Sequence, residues 1–229
     1  EHEHPPKGWC WEWLPGPQPP ALDPPFEERR LILYIHGGAF VLCNPSTHRP
    51  LTANLARMLQ TTVLVPQYRR APDQPFPAAL DDLTELYCEL LNHFPAERLV
   101  VAGDSAGANL TLGLSIRVRD SGLPSPGAIV LMSPWVDLSE DLTQFAERGD
   151  ADYIPPELAC LFARAYAGDQ PLTHPLVSPL FTPDLTGLPS TLVVYGGAEI
   201  LAGQQRRLVE RLREARVALQ VYECPGAMH

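Results

Sequence analysis

The chain has 229 residues, with 17 Lys and Arg against 27 Asp and Glu and a formal charge of −10 at pH 7. That length fits one α/β domain with a substantial core, and the acidic balance without any Lys/Arg cluster argues against nucleic acid or an anionic membrane surface as partner. The five cysteines, Cys10, Cys43, Cys88, Cys160 and Cys224, are scattered and never spaced CxxC, which disfavours a disulfide framework or a zinc site and favours a reducing compartment.

Residues 1–27 are proline-rich, with Trp9, Trp11 and Trp13 alternating between the prolines. Alternation at period two predicts a short strand with one aromatic face packed on the body. The start also lacks the apolar core of a signal peptide, and no apolar run approaches the roughly 20 residues needed to span a bilayer, so the protein is expected to be cytoplasmic or processed. From Arg30 onward apolar strands alternate with amphipathic helices. The pattern predicts strands near 31–36, 62–66, 98–102, 127–132, 191–195 and 217–222, and helices near 47–60, 77–92, 107–119 and 204–215. Strands that are apolar nearly throughout imply a mainly parallel twisted sheet with helices on both faces, and ligands at the carboxyl ends of the strands. The stretch from about 138 to 190 interrupts this beat with a helix at 156–167 and then five prolines. It is too long for an ordinary connection and reads as a partial cap over those strand ends, together with residues 1–27. The whole chain is expected to be a single domain.

The strongest chemical signal is Gly103-Asp104-Ser105-Ala106-Gly107, a GxSxG motif directly after the apolar run 98–102 and directly before a helical pattern. A serine on a sharp turn between strand and helix exposes its hydroxyl, and glycines two residues to either side allow the close approach that a Cβ would block. Ser105 is therefore the candidate nucleophile. A second strand, Leu31 to Ile35, opens into His36-Gly37-Gly38-Ala39-Phe40. Consecutive glycines leave their amides unobstructed, so the N–H groups of Gly37, Gly38 and Ala106 are the expected oxyanion donors. His36, which precedes these donors on the same strand end, is expected to anchor the loop.

These motifs, with Tyr68-Arg69-Arg70-Ala71-Pro72-Asp73, Ser133-Pro134-Trp135 and Ser178-Pro179-Leu180 in the same order, resemble the hormone-sensitive-lipase family of α/β hydrolases. The resemblance runs from about residue 31 to the last residue and implies the α/β-hydrolase fold, serine esterase chemistry and no metal or organic cofactor. The family's acid follows the strand after the cap. Here that stretch is Gly196-Gly197-Ala198-Glu199, so the resemblance implies Glu199 as the acid. The acidic pair that follows in the family is replaced by Gly203-Gln204, which is expected to remove support for that acid. The family pattern of Gly, two residues, then His matches Gly226 to His229 and implies His229 as the base. The order Ser105, Glu199, His229 is that of α/β hydrolases.

Family members continue past this histidine into a final helix, and their N-terminal caps are longer, so the given chain is expected to be either a piece of a longer protein or a truncated enzyme of weak turnover. A terminal carboxylate on His229 would compete for its Nδ1–H. Phe40, Trp135 and Leu180 are the expected substrate-lining residues, Asp150, Asp152 and Asp169 solvated cap charges. The expected partner is a small-molecule ester of short to medium acyl length, with a homodimer admitted. Two other readings stay open: a non-catalytic small-molecule receptor on the same fold, and a serine peptidase.

Overall fold

In the computed structural model the described residues are 11–14, 30–144, 152 and 154–229. They form one seven-stranded sheet: β1 Trp11–Leu14, β2 Leu31–Ile35, β3 Thr62–Pro66, β4 Leu99–Asp104, β5 Ala128–Met132, β6 Ser190–Gly196 and β7 Leu219–Cys224. The strand order is β1-β3-β2-β4-β5-β6-β7. The β1 pairing with β3 is antiparallel, and every other pairing in the sheet is parallel. The helices are α1 Pro45–Leu59, α2 Ala78–Leu90, α3 Ala106–Asp120, α4 Pro156–Ala167 and α5 Ala202–Glu214. Elements expected from periodicity stand within two residues of these bounds. The alternating tryptophans belong partly to β1, whose backbone is described, while Trp9 and the rest of the proline-rich start lie outside the described residues.

The period-two alternation within the strands separates two apolar layers. Leu31, Leu33, Ile35, Leu99, Val101, Ile129, Leu131, Val193 and Tyr195 belong to a large cluster that includes α2, α3 and α5. The intervening residues Ile32, Tyr34, Val63, Val65 and Ala102 pack with Ala56 of α1 in a smaller cluster. At about 25 cal/mol per Å² of apolar surface removed from water, this two-sided burial fixes the register, because a one-residue slip would exchange the layers. Helix α1 begins with a capping box: the Asn44 side chain accepts from the Ser46 N–H, and Asn44 N–H donates to Thr47 Oγ1. Helix α3 is buried on nearly every side, so the turn leading into it has little freedom.

The cap segment contributes α4 and the short 3₁₀ turn Pro179–Phe181. Arg211 of α5 donates to the carbonyls of Leu180 and Thr182, and Asn109 of α3 donates to those of Trp135 and Val177. These bonds satisfy backbone carbonyls in a segment without regular structure, which otherwise could not be buried. Residues 145–151, also expected in the cap, lie outside the described residues.

Helix α3 crosses the end of β2 so closely that a Cβ on Gly107 would sit 2.0 Å from the Ile35 carbonyl oxygen. Gly107→Val is therefore expected to lower the unfolding free energy by about 2–3 kcal/mol, measured by urea denaturation.

Candidate active site

Ser105 lies between β4 and α3 with φ 52° and ψ −118°. A positive φ on a non-glycine residue costs of order 1–3 kcal/mol and persists only where the surroundings enforce it. Here the enforcement is explicit. The Ser105 N–H donates to the Met132 carbonyl at 2.8 Å, and the Ser105 carbonyl accepts from Trp135 N–H at 3.2 Å and Asn109 N–H at 3.1 Å. Both backbone groups of the turn are thus tied to the neighbouring strand or the following helix, and the hydroxyl stands at the carboxyl edge of the sheet.

Two strands along the same edge, Glu199 is 1 % exposed. Its Oε1 accepts from Ser133 Oγ at 2.6 Å and from the Gly196 N–H, while Oε2 accepts from Gln205 Nε2 at 2.7 Å and His229 Nδ1 at 2.9 Å. Burial pushes the carboxyl up, and these four donors outweigh it, holding Glu199 below its ordinary range. A carboxylate can only accept, so Nδ1 of His229 carries the proton and the ring's basic position is Nε2. Ser133 itself has φ 45°, a second strained residue on this edge.

The turn carrying Glu199 and the loop carrying His229 are stitched together along the backbone. Gly197 N–H donates to Cys224 O, and Ala198 N–H to Ala227 O. Asp152 adds a side-chain clamp: one carboxylate oxygen accepts from Ile200 N–H at 2.9 Å and the other from His229 N–H at 3.2 Å. Asp152 is therefore not the solvated cap charge expected from the sequence. It is 8 % exposed and joins the residue after Glu199 to His229. The expected loss of support after Glu199 is also corrected. Gln205 reaches the carboxylate directly, and Gln204 Oε1 accepts from the N–H groups of both Val136 and Asp137. Neither glutamine stands out in the sequence, since helical spacing alone does not show which polar side chain turns inward.

The glycine loop differs from expectation in one particular. The Gly37 N–H donates to Asp104 Oδ1 at 3.0 Å, so it is not available to an oxyanion. Among the described residues the N–H groups of Gly38 and Ala39 have no protein acceptor, and Ala106 is the first residue of α3, where an amide has no intrahelical partner. Ala39, at φ 52°, follows the two glycines, and glycine placement in the motif does not point to it. His36 is fully buried, its Nδ1–H donating to Gly37 O at 2.8 Å and its carbonyl accepting from Tyr68 OH at 2.7 Å. Burial pushes its pKa down to about 4, so it is a neutral structural ring.

The expected lining residues form core instead of an open wall. Phe40 is 0 %, Trp135 4 % and Leu180 5 % exposed, and Phe40 stacks on Tyr166 of α4 at 3.7 Å between centroids. Two surface cavities, one of about 410 Å³ at Arg117, Arg119 and Pro183 and one of about 380 Å³ at Gln67 and Arg70, include none of the three. Among the described residues there is no cluster of His, Cys, Asp and Glu suited to a metal ion, and no helix long and apolar enough to cross a membrane.

The sequence profile of an alpha/beta hydrolase fold family matches residues 32–229. The chain belongs to the hormone-sensitive-lipase-like family of α/β hydrolases. It is 37 % identical over 209 residues to an acetyl-hydrolase of Streptomyces hygroscopicus, covering 90 % of this chain and 69 % of that protein. It is 39 % identical over 192 residues to an esterase of Acinetobacter venetianus, covering 82 % and 63 % respectively. This hydrolase thus spans about two thirds of the length of those relatives. Among solved structures, the esterase EstE5 soaked with p-nitrophenyl butyrate superposes with a TM-score of 0.86 at 32 % identity, covering 97 % of this chain and 73 % of that one. The hormone-sensitive-lipase homologue EstE7, from a metagenome library, gives 0.82 at 37 % identity, covering 87 % and 69 %.

Because the folded-state pKa of Glu199 is depressed, its ionised form contributes stability that is present above the unfolded value of about 4.3 and lost as pH falls through the folded one. Glu199→Gln should remove this part of the acid dependence, so the difference in unfolding free energy between parent and variant should shrink as pH falls below about 4.3. Asp152→Ala should lower the melting temperature by about 4 °C, roughly what 1–2 kcal/mol of lost hydrogen bonding predicts for a domain of this size, as read by calorimetry.

Proposed function

We propose that this α/β hydrolase cleaves carboxylic esters of short to medium acyl chains through Ser105, His229 and Glu199. The observation that carries this reading is the buried Glu199–His229 pair, at 2.9 Å, on the same sheet edge as a serine held at positive φ. In this reading Ser105 Oγ attacks the ester carbonyl while His229 Nε2 takes its proton. Glu199 keeps the imidazole in the tautomer that makes Nε2 basic and stabilises the cation that forms. Negative charge on the carbonyl oxygen is received by the N–H groups of Gly38, Ala39 and Ala106, the last at the positive end of α3. The alcohol leaves with the proton from His229, and water activated by the same ring cleaves the acyl-enzyme.

The short acyl range is supported by the relatives, an acetyl-hydrolase among them, and by the aromatic stack of Phe40 on Tyr166, which fills space beside the glycine loop. A reducing, cytoplasmic setting belongs to the same reading, supported by the free thiols of Cys43, Cys88, Cys160 and Cys224. Ser105→Ala should cost about a million-fold in turnover of p-nitrophenyl butyrate, the size of loss seen when the nucleophile of a serine triad is removed. The parent chain should be labelled by a fluorophosphonate at Ser105 and the variant should not. Undiminished hydrolysis by the variant, or a parent chain that neither labels nor turns over, as expected of a receptor, would overturn the proposal.

A further inference from the structure

A second acid–imidazole pair stands on the other side of the nucleophile turn, toward β2, whereas Glu199 and His229 lie toward β6 and β7. Asp104 is the last residue of β4 and immediately precedes Ser105. Its Oδ1 accepts from Tyr34 OH at 2.8 Å and from the Gly37 N–H at 3.0 Å, and its Oδ2 faces His48 Nε2 of α1 at 3.3 Å. A Cβ on Gly37 would sit 2.2 Å from that Oδ2 and 2.9 Å from the Asp104 carbonyl. The carboxylate therefore packs against bare backbone, and only glycine fits.

The contacts of His48 fix one of its ring protons. Nε2 faces a carboxylate oxygen, which can only accept, so Nε2 carries a proton and donates to Asp104. Nδ1 lies 2.9 Å from Thr47 Oγ1, whose hydroxyl also lies 2.7 Å from the Asn44 carbonyl. Burial opposes a charge on the ring, and the hydrogen bond and attraction to Asp104 outweigh it, holding His48 above its ordinary range and Asp104 below its own. The neighbouring rings do not compete for Asp104: His36 is neutral, and Tyr34 is itself a donor.

Immediately after Gly37 the chain takes three successive positive φ angles, 112° at Gly38, 52° at Ala39 and 64° at Phe40. Such a turn keeps its shape only if its ends are pinned. At the far end Val41 and Leu42 N–H both donate to the Gly38 carbonyl. At the near end Tyr68 holds the His36 carbonyl and Asp104 holds the Gly37 amide. We propose, resting on the hydrolase reading above, that His48 is a positioning residue for ester hydrolysis, acting through Asp104 to set the Gly37 peptide so that the Gly38 and Ala39 amides face the oxygen attacked by Ser105. His48 does not touch substrate. It supplies the Nε2–H donor that holds the Asp104 carboxylate in place beside both the nucleophile turn and the oxyanion loop.

An oxyanion donor acts on the transition state and not on the bound ester, so the proposal is tested by where the loss falls. Complete loss of one donor costs roughly 100-fold to 1000-fold. A mispositioned loop in His48→Ala should therefore lower kcat by about 10-fold to 100-fold and weaken inhibition by a trifluoromethyl ketone by a like factor, with KM held within about two-fold. His48→Gln, whose amide can still donate to Asp104, should recover kcat to within about three-fold of the parent. A His48→Ala variant with parental kcat and parental ketone inhibition overturns the proposal, as does a loss carried in KM or an equal loss in both variants. Should the alanine variant not fold, the glutamine variant decides alone: near-parental kcat and ketone affinity support the proposal, and a large loss of either overturns it. Ser105→Ala run alongside separates the two readings, since its full activity would overturn the hydrolase assignment itself.

Discussion

An ionised carboxylate withdrawn from water must recover its hydration from fixed donors, and two carboxylates, the fully buried Glu199 and the part-buried Asp104, organise this sheet edge. Glu199 draws one donor each from the loop after β5, the end of β6, α5 and the loop after β7. Asp104 draws its donors from β2, the loop after β2 and α1. Each carboxylate thereby ties together elements that the chain order leaves far apart. The site is the place where these two sets of obligations meet, with Ser105 between them.

Strain accumulates at the same edge. Ala39, Phe40, Ser105 and Ser133 all have positive φ without being glycine, and each lies where a parallel strand ends or its loop begins. A parallel sheet ends all its strands on one side, so the turns there share a crowded rim. Met132 O and Trp135 N–H hold the Ser105 turn from the β5 side, and Val194 O holds Ser133 from the β6 side. The conformations that would be costly in isolation are thus enforced by neighbours whose own groups need those bonds.

Much of this was legible in the sequence because it is local. The GDSAG elbow, the HGG loop and the strand and helix periods each depend on residues within a few positions of one another. The misses share the opposite character. Asp152 reads as a charge in a proline-rich cap, yet it binds backbone 48 and 77 residues away. Gln204 and Gln205 read as polar helix positions, yet one braces the Trp135 segment and the other the acid. The Gly37 amide reads as an unobstructed donor, yet Asp104, which lies 67 residues on, takes it. Phe40, Trp135 and Leu180 read as a wall because they are apolar beside motifs, and burial alone decides that they are core.

By itself the sequence determined the fold class, the sharp turn at Ser105 and the place of the glycine loop after β2, since periodicity and glycine placement act through covalent geometry and local sterics. Only the tertiary structure decided which amides are already spent, which carboxylates are buried and by what they are held. The physical reason is that hydrogen-bond satisfaction is a property of the whole neighbourhood: a donor next to an acceptor in space leaves no trace in the spacing of either along the chain.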